Sequence, residues 1–174
     1  MISDINKKIW TVENKNNQKL LRKRLADFDF SKYSKKEINE LIKFMRKMMA
    51  ENGGVGLAAN QIGFNFRVFV AQLPEKKGEE RGYVGKFYAV FNPEIISLSE
   101  EKINDREGCL SIPGFYGEIE RSKKMEIGGF DKNQRPVKIK AGGFLARIFQ
   151  HEIDHLNGKL YIDSAKNVFK VEKE

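Results

Sequence analysis

The chain has 174 residues, 40% of them hydrophobic and 11% aromatic, a composition that excludes a disordered segment and fits one compact core. Its single cysteine excludes an internal disulfide framework, no run approaches the roughly 20 apolar residues of a membrane-spanning helix, and MISDINKKIW lacks the apolar stretch of a signal peptide, so a soluble intracellular (cytoplasmic) protein is expected. The formal charge of +8 admits a polyanionic partner, but the lysines are scattered and no basic run alternates with aromatics, so they read first as surface solvation.

Residues 1–33 read as an irregular arm with one short helical turn around KLLRKRL. From Ser34 the pattern sharpens: Ile38, Leu41, Ile42, Met45, Met48 and Met49 recur at helical spacing, and Ser34 with Glu37 forms a capping box, so an amphipathic helix starts here. It must stop at Asn52–Gly54, because consecutive glycines cost backbone entropy and supply positive φ. Strands are expected over 66–73, 86–92, 94–100, 125–131 and 136–140. The charged, glycine-rich run 74–86 reads as a surface loop, and DKNQRP (131–136) as a hairpin turn. A second helix, FLARIFQHEIDHL, follows, and 164–174 form a short tail. The order predicts one α+β domain over 1–174 with antiparallel strands.

The second helix holds both histidines. Phe144, Ile148, His151 and His155 step by 4, 3 and 4, so the histidines continue the apolar stripe and should point inward, with Glu152 in the neighbouring row. Histidines at i and i+4 can close on one cation, and a Glu beside the first can reach a water without ligating the metal. A pair of buried histidines satisfied by hydrogen bonds is the plainer alternative; an ionisable cluster in a core stripe is costly unless paired or metal-bound.

Two nitrogens do not complete a tetrahedral site. The remaining tail has no further His, so the lone Cys109, in the shaped loop EGCLSIPG, is the candidate third ligand, with a small buried hydrophobe as the alternative. Glu107 could hold that loop through a charge pair. In GGVGLAANQIG (53–63), the small residues at Gly54, Gly56, Ala58 and Ala59 suit backbone passing close to an extended substrate, and Gln61 offers an uncharged donor of the kind that stabilises an oxyanion. A plain helix stop followed by an apolar turn remains the other reading, and a phosphate loop is weaker because no Lys-Ser/Thr follows.

GVGLAANQ, EGCLS and QHEIDHLNG, in this order, resemble the three signature motifs of peptide deformylases. The resemblance implies an α+β fold with the HExxH helix central among antiparallel strands, and removal of the formyl group from N-terminal formyl-methionine of new polypeptides. It implies that Cys109, His151 and His155 bind one divalent metal, Fe²⁺ natively, although Zn²⁺, Ni²⁺ and Co²⁺ accept the same donors. It further implies Glu152 as acid/base, Gln61 and the Leu110 backbone N–H as oxyanion donors, and Gly56 against the substrate main chain. Asp154 and Glu107 become anchors behind the ligands, with Arg121 the partner of Glu107. Arg147, where some relatives line the methionine pocket with an apolar residue, is expected to turn outward to solvent or a carboxylate. Formyl-methionyl nascent chains are the implied partners, and a transient ribosome association would suit the +8 charge. A different metallopeptidase, or a ribosome- or RNA-binding module with a structural metal, are the rival classes; no further Cys or His exists to close a structural site.

Overall fold

A computed structural model describes residues 8–77 and 80–171. Residues 1–7 of the expected arm, 172–174 of the expected tail and 78–79 of the expected loop lie outside the described residues.

Helix α1 (Lys15–Leu21) is capped by Asn14, whose side chain accepts from the Asn16 and Asn17 amides, and it overlaps the first three residues, 19–21, of the helical turn expected around KLLRKRL while starting four residues earlier. Helix α2 (Lys35–Glu51) starts where the sequence requires. The Ser34 hydroxyl accepts the Glu37 amide at 3.2 Å and the Glu37 carboxylate accepts the Ser34 amide at 2.8 Å, so two amides left free at a helix start are satisfied reciprocally. The helix ends at Asn52, and Gly53 takes φ +67°, the left-handed conformation that a residue without Cβ adopts at little cost.

Five antiparallel strands form one sheet in the order β1-β2-β3-β6-β7: β1 (Gly56–Ala58), β2 (Val68–Lys77), β3 (Glu80–Leu98), β6 (Lys124–Phe130) and β7 (Pro136–Gly142). A second sheet, β4-β5-β8, comprises β4 (Lys102–Cys109), β5 (Ile112–Ser122) and β8 (Lys166–Lys170). Four expectations change here. The described parts of the expected loop, 74–77 and 80–86, are not loop but paired strand in the outer half of β2 and β3, with Leu73 opposite Val84 and Glu75 opposite Gly82. The stretches 86–92 and 94–98 are one bulged strand, which ends two residues before the expected limit at 100. EGCLSIPG is the closing end of the β4–β5 hairpin, with Cys109 opposite Ile112, and the tail supplies β8. Charged strands at a sheet margin carry no apolar alternation, so their backbone pairing leaves little trace in composition.

The five-stranded sheet separates two apolar layers. Along β2, Phe69 and Ala71 pack with Ile148, Phe149 and Ile153 of α3 (Gly143–Leu156), whereas Val68 and Val70 pack with Leu41, Met45 and Met49 of α2. That is the period-2 alternation of a strand covered on both faces. Helix α3 is buried around most of its circumference, including Arg147, Gln150, Glu152 and His155. Among the described residues, no helix is long and apolar enough to cross a membrane.

Candidate metal centre and active site

The two histidines come from the third and fourth turns of α3, and Cys109 from the last residue of β4, so one helix and one hairpin meet at a point. One ligand atom from each of Cys109, His151 and His155 lies within 4.8 Å of the other two. The Cys109 Sγ stands 3.1 Å from His155 Nε2, and the two imidazoles meet edge to face at 4.9 Å between centroids. His155 is buried; His151 is mostly so. The stripe that was expected to begin at Phe144 begins at Ile148 instead, because Phe144 sits exposed at the rim of the cavity.

His151 is oriented from behind. Its Nδ1 lies 2.9 Å from Glu107 Oε2, which turns Nε2 toward Cys109 and His155. A carboxylate on the far nitrogen fixes the tautomer and raises the basicity of the near one. Glu107 is gripped in turn: Arg121 donates Nε to Oε1 at 2.9 Å and Nη2 to Oε2 at 3.0 Å, and its Nη1 reaches Asp154 Oδ2 at 2.5 Å. Burial would raise the Glu107 carboxyl, yet the hydrogen bonds from His151 and Arg121 outweigh it and bring it down to about 2.

Arg147 overturns the expectation of an outward side chain. Its guanidinium is buried, donating Nη1 to Glu107 Oε1 at 2.8 Å and to the Ile119 carbonyl at 3.0 Å, and Nη2 to the Ile103 carbonyl at 2.6 Å. It thereby ties α3, which carries the histidines, to both strands of the hairpin that carries Cys109. The carboxylate partner was foreseen; the burial was not.

Glu152 lies beside this cluster, 3% exposed, with Oε2 buried and without a hydrogen-bond partner among the described residues. Burial pushes its carboxyl up to about 7, with the His151 charge opposing. A carboxyl poised near neutrality suits a group that both takes and gives a proton. Gly56 of β1 permits its position: a Cβ there would collide with the Glu152 carboxylate and come within 2.9 Å of Ile148 Cγ2. Gly56 is therefore needed where the strand passes Glu152, a closer contact than the substrate contact expected of it.

Gln61 sits in the short 3-10 turn Ala59–Ile62 after β1. Its Oε1 accepts the Ala58 amide at 2.9 Å, so the NH₂ end faces the site, 3.2 Å from Ser111 Oγ and 3.5 Å from Cys109 Sγ. Leu110 follows Cys109 in the β4–β5 turn and lines the same cavity as Gly54, Gly56, Gln61, His151 and Glu152, whose volume is about 640 Å³. Gly54 accepts a hydrogen bond from the Tyr83 hydroxyl at 2.7 Å, and a Cβ on it would meet Leu110 Cδ1 at 2.9 Å.

Sequence reasoning missed Tyr83, Tyr161 and Asn60. Tyr161 stacks 6.2 Å from His151 and donates its hydroxyl to the Phe115 carbonyl at 2.9 Å, while Asn60 Nδ2 donates to the His155 carbonyl at 2.8 Å. Asn60 stands in the GLAANQ run already singled out; Tyr83 and Tyr161 had no local signal.

The donor set fits a cation. One sulfur and two imidazole nitrogens converge, His151 is held by a carboxylate from behind, and a buried unpartnered carboxylate stands alongside without entering the set. Three protein ligands leave a further position for water or substrate.

Comparison with known proteins follows the same lines. The family model described as polypeptide deformylase matches residues 7–170. The chain is 41% identical over 155 residues to a peptide deformylase of Elusimicrobium minutum, covering 88% of this chain and 86% of that protein. Among solved structures, a probable peptide deformylase from Synechococcus phage S-SSM7 matches with TM-score 0.76 and 38% identity over 90% of this chain and 98% of that one. A class I type b peptide deformylase from Acinetobacter baumannii, bound to Met-Ala-Ser, matches with TM-score 0.79 and 28% identity over 90% and 97%.

Proposed function

The chain belongs to the polypeptide deformylase family, whose members remove N-terminal formyl groups, and on that footing we propose that it is a metal-dependent hydrolase acting on formyl-methionine of newly made polypeptides and releasing formate. The observation that carries the proposal is the convergence of Cys109, His151 and His155 on one point beside the unpartnered Glu152 carboxylate.

Cys109, His151 and His155 hold the divalent cation, natively Fe²⁺, with Zn²⁺, Ni²⁺ or Co²⁺ accepted by the same sulfur and nitrogen donors. When bound, such an ion supplies Lewis acidity, which makes water a usable nucleophile near neutrality and polarises a carbonyl. Glu152 takes a proton from the attacking water and passes it to the methionine nitrogen as the C–N bond breaks. The formyl carbon thus gains the hydroxyl oxygen and departs as formic acid while the nitrogen departs as the amine, and the acid's remaining O–H proton passes to that amine or to solvent, which gives formate. The Gln61 NH₂ group and the Leu110 backbone N–H stabilise the oxygen on which negative charge develops; fixed donors in a site shielded from water act more strongly than water does. Glu107, Arg121 and Asp154 hold His151 and its helix in place. Gly54 and Gly56 leave room for the substrate main chain. The Met-Ala-Ser bound by the Acinetobacter protein begins with methionine, as the product of this reaction would.

The substrate is a nascent chain, the compartment the cytoplasm, and docking near the ribosome is by attraction of the scattered lysines to phosphate, which salt should weaken steeply. The deciding experiment compares formyl-methionyl and acetyl-methionyl peptides with protein kept from oxygen, reading formate, acetate and peptide mass together with metal content. Formate should be released, the acetyl analogue should react far more slowly because an added methyl must displace packed backbone at a cost of about 1–3 kcal/mol, and internal bonds should stay intact. Equal rates on the two acyl groups, or internal cleavage without formate, would refute the proposal.

A further inference from the structure

The two oxyanion donors assigned above come from different sheets. Gln61 belongs to the turn between β1 and β2, whereas Leu110 belongs to the turn between β4 and β5, and those strands share no ladder. Among the described residues, the direct hydrogen bonds between the two turns are those of the Gln61 NH₂ group, to Ser111 Oγ and Cys109 Sγ. That group is the one that must also donate to substrate. A cradle whose two halves were joined only through a working donor would loosen whenever that donor turned to its task.

The chain places a second join across the same gap. The Trp10 amide donates to the Gln61 carbonyl at 2.7 Å, and two residues on the Val12 amide donates to the Ser111 carbonyl at 3.0 Å. Both side chains anchor the segment. The Trp10 indole lies so close over Gly63, where φ is +91°, that a Cβ there would stand 2.7 Å from the ring. Val12 packs against the buried cluster of Ile112, Ile119, Leu160 and Tyr161, which Cys109 also borders, and Ile9 joins the apolar layer under α2. Asn14 then caps α1 and closes the segment off.

We propose that Ile9–Val12 is a clip that sets the spacing of the Gln61 and Leu110 turns, with Trp10 and Val12 as positioning residues that never touch substrate. The proposal rests on Gln61 and Leu110 being the oxyanion donors. Backbone amides suit the task, because neither bond changes when the Gln61 side chain moves. A donor misplaced by a fraction of an ångström stabilises the transition state less while the bound ground state is little affected, so the cost falls on kcat.

The test is Val12→Pro, which deletes the N–H, against Val12→Ala, which keeps it, in the full-length metal-loaded protein. Val12→Pro should retain about one metal per chain and a KM within about twofold while kcat falls roughly 10-fold, less than the 10²–10³-fold loss typical when a donor is removed outright. Val12→Ala should keep most of kcat. In a Gln61→Ala background the Val12→Pro loss should shrink, since the group being positioned is gone. If Val12→Pro does not fold, Trp10→Ala, with every N–H in place but the ring freed from Gly63, should show the same fall in kcat at constant KM. Unchanged kcat in the folded variant, a parallel loss of metal and KM, or full additivity with Gln61→Ala would overturn the clip. Full turnover by Gln61→Ala alone would instead remove the oxyanion assignment beneath it, so the two failures are distinguishable.

Discussion

Replacing Arg147 with Leu removes three donors from a buried junction while keeping an apolar stem in place. The bond to Glu107 is charge-assisted, and its loss costs about 1.5–3 kcal/mol; the bond to the buried Ile119 carbonyl and the wetter one to Ile103 add about 1 kcal/mol each. Glu107 keeps both Arg121 bonds and the contact with His151, so the full 3–5 kcal/mol for breaking a buried pair is not reached. Burial of the leucine offsets part of the loss, which leaves a net destabilisation of about 3 kcal/mol. At this chain length each kcal/mol corresponds to roughly 2–4 °C, so Tm should fall by about 6–12 °C. Arg147→Lys, which retains the charge but has a single nitrogen for three acceptors, should fall about half as far. Urea and thermal unfolding of the three proteins at one fixed metal loading measure this, since bound metal itself raises apparent stability. A loss below about 1 kcal/mol would mean that Arg147 reaches water and that the helix and the hairpin are not joined through it.

Glu152→Gln should keep the fold and its metal while turnover drops by about 10²-fold or more; intact activity would exclude Glu152 as the proton carrier. Cys109→Ala should lower metal affinity sharply, read by competition with a chelator, and unchanged metal content would remove Cys109 from the ligand set. Gly56→Ala forces a methyl onto the Glu152 carboxylate, so kcat should fall while overpacking costs about 1–3 kcal/mol of stability; wild-type turnover would show that the close approach is dispensable. Asp163 accepts two bonds from Arg22 and one from the Leu160 amide; burial opposes ionisation, but these partners hold the carboxyl below its ordinary value. Its contribution is therefore present above the unfolded-state value of about 4 and is lost as pH falls through the lower folded value, so Asp163→Asn should flatten the acid limb of the stability curve. Identical limbs in the two proteins would refute that linkage.

What could be read from the sequence is what local geometry dictates. The capping box at Ser34 and Glu37 joins residues three apart, and the i, i+4 spacing of His151 and His155 sets them on one helical face whatever surrounds the helix. Cys109 as a candidate donor follows from a count of cysteines and histidines, and Gln61 as a candidate from a small-residue run that suits a close approach, although a helix stop and an apolar turn would read the same way. Helical periodicity says which residues share a face but not what stands opposite, so Arg147 reads as turning outward to solvent or a carboxylate, whereas the hairpin brings Glu107 and two carbonyls to it in the interior. The outer β2–β3 hairpin and β8 were invisible for a related reason: strand pairing is settled by backbone partners distant in sequence, and charged side chains at a sheet margin leave no alternation to mark it. The sequence alone determined the chemistry each residue could offer. Only the meeting of two sheets, one helix and the Ile9–Val12 segment decided which of those groups are buried, which are paired, and which are left free to act, because those outcomes depend on distances between residues that no local rule relates.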